Sequence, residues 1–330
     1  MSEMRKVLVV TNMYPDAQHP DHGTFVQEQV EGLRARRVDM DVVVVGGLRR
    51  RASYLDGAQR FWRQIRQQPY DLIHAHYVFC GVIARLQKRV PILLTHHGIE
   101  VLQGWTAPLS WAISRLVDGV IVTSTEMKRT LGLPKAYVIP CGVDLELFKP
   151  MPQQEARERL ALPSAKKLVL YVGLLRPEKR LDVIQAAVEL LRQGDRNPES
   201  RHQFSEAKSR HQSGEAELVI ASGLPHEEIP WYMNACDVLA LASDREGSPM
   251  VIKEAMACNL PIVSVDVGDV SQVIGSTEGC YLCRRDSADM AEKLRWALSR
   301  RQRTDGRRAV QHLSLDAAVD QILQVYEELW

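Results

Sequence analysis

The sequence predicts an α/β protein of two doubly wound domains facing each other across a ligand-binding cleft. Three observations predict it. The chain has 330 residues, 45% hydrophobic and 25% charged, enough for two domains with a core each. Short β-branched runs alternate with longer amphipathic stretches, the pattern of βα units on a parallel sheet. The alternation also occurs twice, broken by the polar stretch 141–163 with Pro150, Pro152 and Pro163.

The first series of strands is expected at 6–10 (KVLVV), 41–45 (DVVVV), 71–74 (DLIH), 91–95 (PILLT), 119–123 (GVIVT) and 137–140 (YVIP). The second runs through 167–172 (KLVLYV), 217–221 (ELVIA), 237–241 (DVLAL), 261–265 (PIVSV) and 280–283 (CYLC). Most of these runs are apolar throughout rather than alternating, as strands covered on both faces must be. The junction places the boundary near Lys149, giving domains 1–149 and 150–330. The polar stretch 194–214 holds most of a direct repeat: 200–208 (SRHQFSEAK) is followed by 209–217 (SRHQSGEAE), with six of nine positions identical. Two copies are too few for a solenoid, so a mobile surface insertion is expected. At the C-terminus Ala318, Ile322, Val325 and Leu329 recur at helical spacing, which predicts a helix packed on one of the domains.

Charge and cysteine usage narrow the function classes. The 42 Lys+Arg balance 41 Asp+Glu, against the basic excess of a nucleic-acid binder. No apolar run approaches a membrane span and no secretory signal opens the chain. With six cysteines in so long a sequence, the cytosol is the expected compartment. The balance is uneven, however: residues 1–150 hold 19 Lys+Arg and 14 Asp+Glu. Part of that excess, Arg49, Arg50, Arg51, Arg60, Arg63 and Arg66, surrounds Tyr54, Phe61 and Trp62. Such a segment reads first as a solvated basic helix face, with peripheral contact with an anionic membrane as the alternative.

The strongest local motif runs from Glu246 to Glu254 through Gly247, Ser248, Pro249, Met250, Val251, Ile252 and Lys253. Ser248 suits an N-cap and Pro249 a first helical residue, so a helix is expected to start there. Amides near Met250 and Val251 would then seat a phosphate or pyrophosphate at the sheet edge, with Glu246 and Glu254 placed for hydroxyls on either side. On local chemistry alone the favoured reading is ordinary capping by Ser248, with both glutamates as helix-end and helix-face residues. After the first strand of the second series, Arg176, Lys179 and Arg180 put three cations within five residues, which suits a diphosphate as well as a solvated turn. In the first half, His96, His97, Gly98 and Glu100 follow a strand, and Gly23 lies in the loop after the first one. His74, His76, His96 and His97 raise the question of a metal. No Asp-x-Asp or His-Glu-x-x-His pattern lies near them, and no metal is expected. No Gly-x-Gly-x-x-Gly follows any strand, which speaks against a nicotinamide enzyme. Cys280 and Cys283 sit in one strand, where period two sends the thiols to opposite faces and implies packing.

Set in order, these stretches resemble the family 4 retaining glycosyltransferases of the GT-B fold, built from two Rossmann-like domains. The branch most similar includes teichuronic-acid-type bacterial polysaccharide transferases. The resemblance rests on 9–15 (VVTNMYP), 23–28 (GTFVQE), 70–76 (YDLIHAH), 97–100 (HGIE), 139–144 (IPCGVD), 177–179 (PEK), 232–237 (YMNACD) and 246–266 with its Glu-x7-Glu pair. It implies metal-free, cofactor-free transfer from a nucleotide-diphosphate sugar to a saccharide, lipid-linked in bacterial envelope synthesis, at the inner membrane face. On that resemblance Glu246 contacts the donor sugar and Glu254 the ribose, while Lys179 and the amides around Met250 hold the diphosphate. Arg176, Ser248, Val251 and Gly23 join the donor side. His97 lies against the sugar, and Glu100 stands on the acceptor side. The C-terminal helix 315–330 crosses back to the first domain. Three departures stand out: Leu174 replaces the family's arginine after Gly173, Met250 an asparagine, and the chain between Glu217 and Trp231 is short by a βα unit. They motivate a competing reading, a non-catalytic GT-B protein that binds a nucleotide or a partner.

Overall fold

The computed structural model describes residues 5–17, 22–46, 53–102, 104–196, 216–300 and 302–330. The chain divides into two compact units, Met1–Gly142 with Leu313–Trp330, and Val143–His312. The division falls at Gly142/Val143 rather than near Lys149, and the last 18 residues belong to the first unit. Residues 49–51 and nearly all of the repeat at 200–217 lie outside the described residues.

The first unit holds a six-stranded parallel sheet in the order β2-β1-β3-β4-β5-β6. Its strands are β1 (Lys6–Thr11), β2 (Asp39–Val44), β3 (Leu72–His76), β4 (Ile92–His96), β5 (Gly119–Val122) and β6 (Tyr137–Val138). Strand period two sends Val7 and Val9 into one core, and Leu8 and Val10 into the other, so both faces need helical cover. On one side lie α1 (Thr24–Ala35) and α14 (Leu315–Leu329), and on the other α2 (Ser53–Gln67) and α3 (Val78–Ala84). The α1/α14 contact is close because Gly32 has no side chain: a Cβ there would stand 2.7 Å from Val319 Cγ2. Arg36 pairs with both Asp316 and Asp320 at its edge.

The second unit has a five-stranded parallel sheet, β11-β10-β9-β7-β8. These are β7 (Lys167–Val172), β8 (Ala216–Ala221), β9 (Val238–Leu241), β10 (Ile262–Val265) and β11 (Cys280–Cys283). One core packs α8 (Leu181–Arg196) and α12 (Ser287–Ser299) on the sheet. Cys280 Sγ faces Met256 Sδ at 3.8 Å, whereas Cys283 packs against that core. Burial pushes both thiols up to about 12, the state of inert packing groups. In each sheet the strand order reverses direction once, between β1 and β3 and between β7 and β9. Beyond the carboxyl ends of such strands lies the place where doubly wound folds bind ligands.

Candidate functional site

In the second unit, the segments leaving β7 and β9 carry the motif residues to one switch point. Gly173, at φ +141°, leaves β7 in a conformation that L side chains rarely adopt. The chain then passes exposed Leu174 and Arg176 into a 3-10 turn at Pro177–Lys179. Lys179 Nζ reaches Glu246 Oε1 at 2.6 Å, and both are mostly shielded from solvent. Arg180, the third cation, is committed elsewhere: it pairs with Asp182 at 2.9 Å and Asp244 at 3.4 Å.

The helix after β9, α10 (Met250–Ala257), starts later than expected. Pro249, in extended backbone, is the N-cap and Met250 the first helical residue. Ser248 does not cap because its hydroxyl is taken. It accepts from Lys253 Nζ at 2.8 Å and donates to Asp269 Oδ2 at 2.6 Å. Lys253 is fully buried and Asp269 nearly so, so a cation, a hydroxyl and a carboxylate form one sequestered chain under the Glu246 loop. Burial, opposed by the Lys253 charge, holds the Asp269 carboxyl above its ordinary range. Gly268 (φ +59°) presses on the same loop: a Cβ there would stand 2.5 Å from Gly247 O. Met250 and Val251 occupy the first turn of α10, whose amides point out of the helix end.

Glu254, on the first turns of α10, is buried and accepts from His226 Nε2 at 3.0 Å. Sequence reasoning missed His226. The signal was the shortness of the connection itself: β8 passes through Gly223 and Pro225 directly into a 3-10 turn at His226–Glu228 and then α9 (Ile229–Ala235). That short path delivers the imidazole to Glu254, with Phe148 against its ring at 5.1 Å.

In the first unit, Gly23 caps α1 at φ +79°, with Met13 so close that a Cβ would sit 2.4 Å from its carbonyl carbon. Glycine is the residue this loop can use. His97 follows β4. Its Nε2 faces His76 Nδ1 at 2.9 Å and its Nδ1 faces Cys141 Sγ at 3.7 Å. Phe25 packs on the ring at 4.8 Å. Glu100, at the start of α4 (Ile99–Leu102), turns back and accepts the His97 backbone N–H at 2.7 Å. Burial raises the Glu100 carboxyl, but His96, His97 and that amide outweigh it and hold the group below its usual range.

The other imidazoles are held by hydroxyls. His74 bonds Tyr326 OH and Thr95 Oγ1, each at 2.7 Å, and His96 Nε2 bonds Ser114 Oγ at 2.8 Å. Burial pushes His74 down to about 3 and His97 to about 4, and lowers His76 well below its ordinary value. All three rings are therefore neutral at pH 7. Among the described residues no group of three or more His, Cys, Asp or Glu could hold a metal ion, and no helix is long and apolar enough to cross a membrane.

Comparison with known proteins places both units. Residues 6–147 match the model described as Glycosyltransferase Family 4, and residues 152–311 that of Glycosyl transferases group 1. A Bacillus subtilis protein assigned as the teichuronic acid biosynthesis glycosyltransferase TuaC is 23% identical over 88% of each chain. The D-inositol 3-phosphate glycosyltransferase of Thermomonospora curvata is 28% identical over 91% of this chain and 82% of its own length. Among solved structures, the sucrose-phosphate synthase of Thermosynechococcus elongatus superposes with a TM-score of 0.76 at 22% identity, covering 98% of this chain and 99% of that one. Anabaena HepE, solved with UDP and glucose, gives 0.73 at 18% identity, covering 98% and 100%. Both likenesses identify the fold as GT-B.

Proposed function

The chain belongs to the family 4, group 1 glycosyltransferases, and from that premise we propose that it transfers a sugar, with retention, from a nucleotide-diphosphate sugar to a lipid-linked saccharide in cell-surface polysaccharide synthesis. The observation that carries this reading is the Lys179–Glu246 pair at 2.6 Å, brought together at the switch point of the second sheet. Lys179 and the first amides of α10 supply positive potential for a diphosphate leaving group. Glu246 serves the donor sugar and Glu254, with His226 beside it, the ribose. Arg176, exposed after β7, is available to the diphosphate where Leu174 offers no charge. In the first unit His97, Gly23 and Glu100 serve the sugar and the acceptor. Neither a metal nor an organic cofactor takes part.

A membrane-borne acceptor agrees with the surface of the first unit. Trp105 and Trp111 are 75% and 50% exposed, and the Arg115 guanidinium lies 3.7 Å from the Trp111 ring centroid. Arg60, Arg63 and Arg66 stand exposed on α2. Aromatic rings beside cations suit an anionic lipid surface.

The test is thermal unfolding with UDP, GDP, TDP, CDP or ADP, for the native chain and for Lys179→Ala. A nucleotide at 100 times its Kd stabilises by about 2.7 kcal/mol, a rise of roughly 5–11 °C for a unit of this size. One nucleotide should raise the midpoint and Lys179→Ala should abolish the rise. Transfer from the matching sugar nucleotide should then be lost in Glu246→Ala. Binding without any transfer would favour the non-catalytic reading, and no binding at all would remove the donor assignment.

A further inference from the structure

His76 has no place in the sugar-transfer reading, yet it touches a residue that does. It ends β3, is fully buried, and its buried Nε2 has no hydrogen-bond partner among the described residues. Its Nδ1 meets His97 Nε2 at 2.9 Å. The two rings lie within 9° of coplanar, 5.2 Å apart, so the contact is edge to edge. On its other side the His76 ring packs against His74, tilted by 31° at 4.2 Å, and His74 is locked at both nitrogens by Tyr326 of α14 and Thr95 of β4.

Two neutral imidazoles sharing one hydrogen bond have two arrangements. If His97 donates from Nε2, His76 must carry its own proton on Nε2, where it becomes a buried N–H with nothing to accept it. If His76 donates from Nδ1, its Nε2 is a bare lone pair and no donor is orphaned. Orphaned buried N–H groups are the rarer and costlier kind, so the second arrangement is favoured. His97 Nε2 then accepts, and its proton sits on Nδ1, directed at Cys141 Sγ, 3.7 Å away.

We infer that His76 is a positioning residue that fixes the ring of His97 as the Nδ1–H tautomer, so that His97 acts as an oriented neutral hydrogen-bond donor rather than as an acid or base. The C-terminal helix takes part at one remove, because Tyr326 holds His74 and His74 holds the plane of His76. The same bond prevents His97 from turning its ring over, which would exchange donor and acceptor. The inference rests on the reading of His97 as a residue of the sugar site, but the ring can be read without any substrate.

The experiment is long-range ¹H–¹⁵N correlation on protein labelled with ¹⁵N-histidine at pH 7.5, with the His97 signals assigned by their loss in His97→Gln. In the native chain His97 should show a protonated Nδ1 and a bare Nε2. His76→Phe keeps a ring against His74 and removes the donor, and should move the proton to Nε2. His76→Asn places an amide N–H close to the former Nδ1 and should restore the native tautomer. In a transfer assay, His76→Phe should lower kcat roughly 10- to 100-fold, as loss of orientation does, with a smaller change in KM and partial recovery in His76→Asn. A native His97 protonated at Nε2 overturns the inference without recourse to any variant, as does an unchanged tautomer in folded His76→Phe. A confirmed tautomer with no transfer activity in the native chain would count against the transferase reading alone.

Discussion

The buried imidazoles make the first unit sensitive to acid, and the size of the effect can be worked out. His74 and His97 titrate near 3 and 4 in the folded protein, and His76 well below its ordinary value. An unfolded histidine titrates near 6.5. Between those limits the unfolded chain binds more protons, so stability rises with pH. It is fully present above about pH 6.5 and is lost as pH falls toward the folded values. At pH 5.5 each unfolded histidine is about nine-tenths protonated while its folded counterpart is neutral. Each then contributes a slope of roughly 1.2 kcal/mol per pH unit, and the three together about 4. Total stabilities are about 5–15 kcal/mol, so one pH unit should visibly shift unfolding. The groups facing the row are Tyr326, Thr95, Cys141, Glu100 and His96. Glu100 attracts a protonated His97 while His96 opposes it, and that attraction is weaker than the burial cost. The assay is urea unfolding by far-UV circular dichroism at pH 5.0, 5.5, 6.0 and 7.5, in the native chain and in His74→Phe. The variant removes one titrating group and should lower the slope by roughly 1.2 kcal/mol per pH unit, whatever it does to absolute stability. An unchanged slope would show that the row does not resist protonation, and the argument from burial would fail.

Other consequences follow from particular contacts. Lys253→Met leaves the buried Asp269 without its cation and should cost about 3–5 kcal/mol, read by urea unfolding; Lys253→Met with Asp269→Asn should recover part of it. If the single variant is as stable as the native chain, the cation does not hold the Glu246 loop. Gly32→Ala sets a methyl 2.7 Å from Val319 Cγ2 and should destabilise by about 1–3 kcal/mol, a loss that Val319→Ala in the same chain should relieve. Replacing Trp105 and Trp111 together by serine should reduce co-sedimentation with phosphatidylglycerol vesicles about tenfold or more while leaving nucleotide binding intact. Equal sedimentation would detach those rings from the membrane proposal.

Much of the fold was legible because its signals are local. Among the described residues all eleven strands fall within a few residues of the β-branched runs, since a strand covered on both faces must be apolar along its length. The helical spacing of Ala318, Ile322 and Val325 was equally plain, and all three are buried on α14. The cap of α10 was misread because Ser248 obeys a cap rule that ignores its competitors. Lys253 lies one and a half turns onward and Asp269 comes from the next βα unit, and together they take the hydroxyl. No local pattern records a partner 21 residues away.

What the sequence determined by itself is therefore the alternation of strands and helices, its repetition in two series, and the set of motif residues at strand ends. Tertiary packing settled which of those residues act on one another. Lys179 meets Glu246 across 67 residues, His76 meets His97 across 21, and Tyr326 reaches His74 across 252. Strand order makes these meetings, because the carboxyl ends of neighbouring strands converge whatever their separation along the chain. Burial then decides the chemistry. The same imidazole that would titrate near neutrality in water is held neutral inside the sheet, and that depends on what surrounds it rather than on its own sequence.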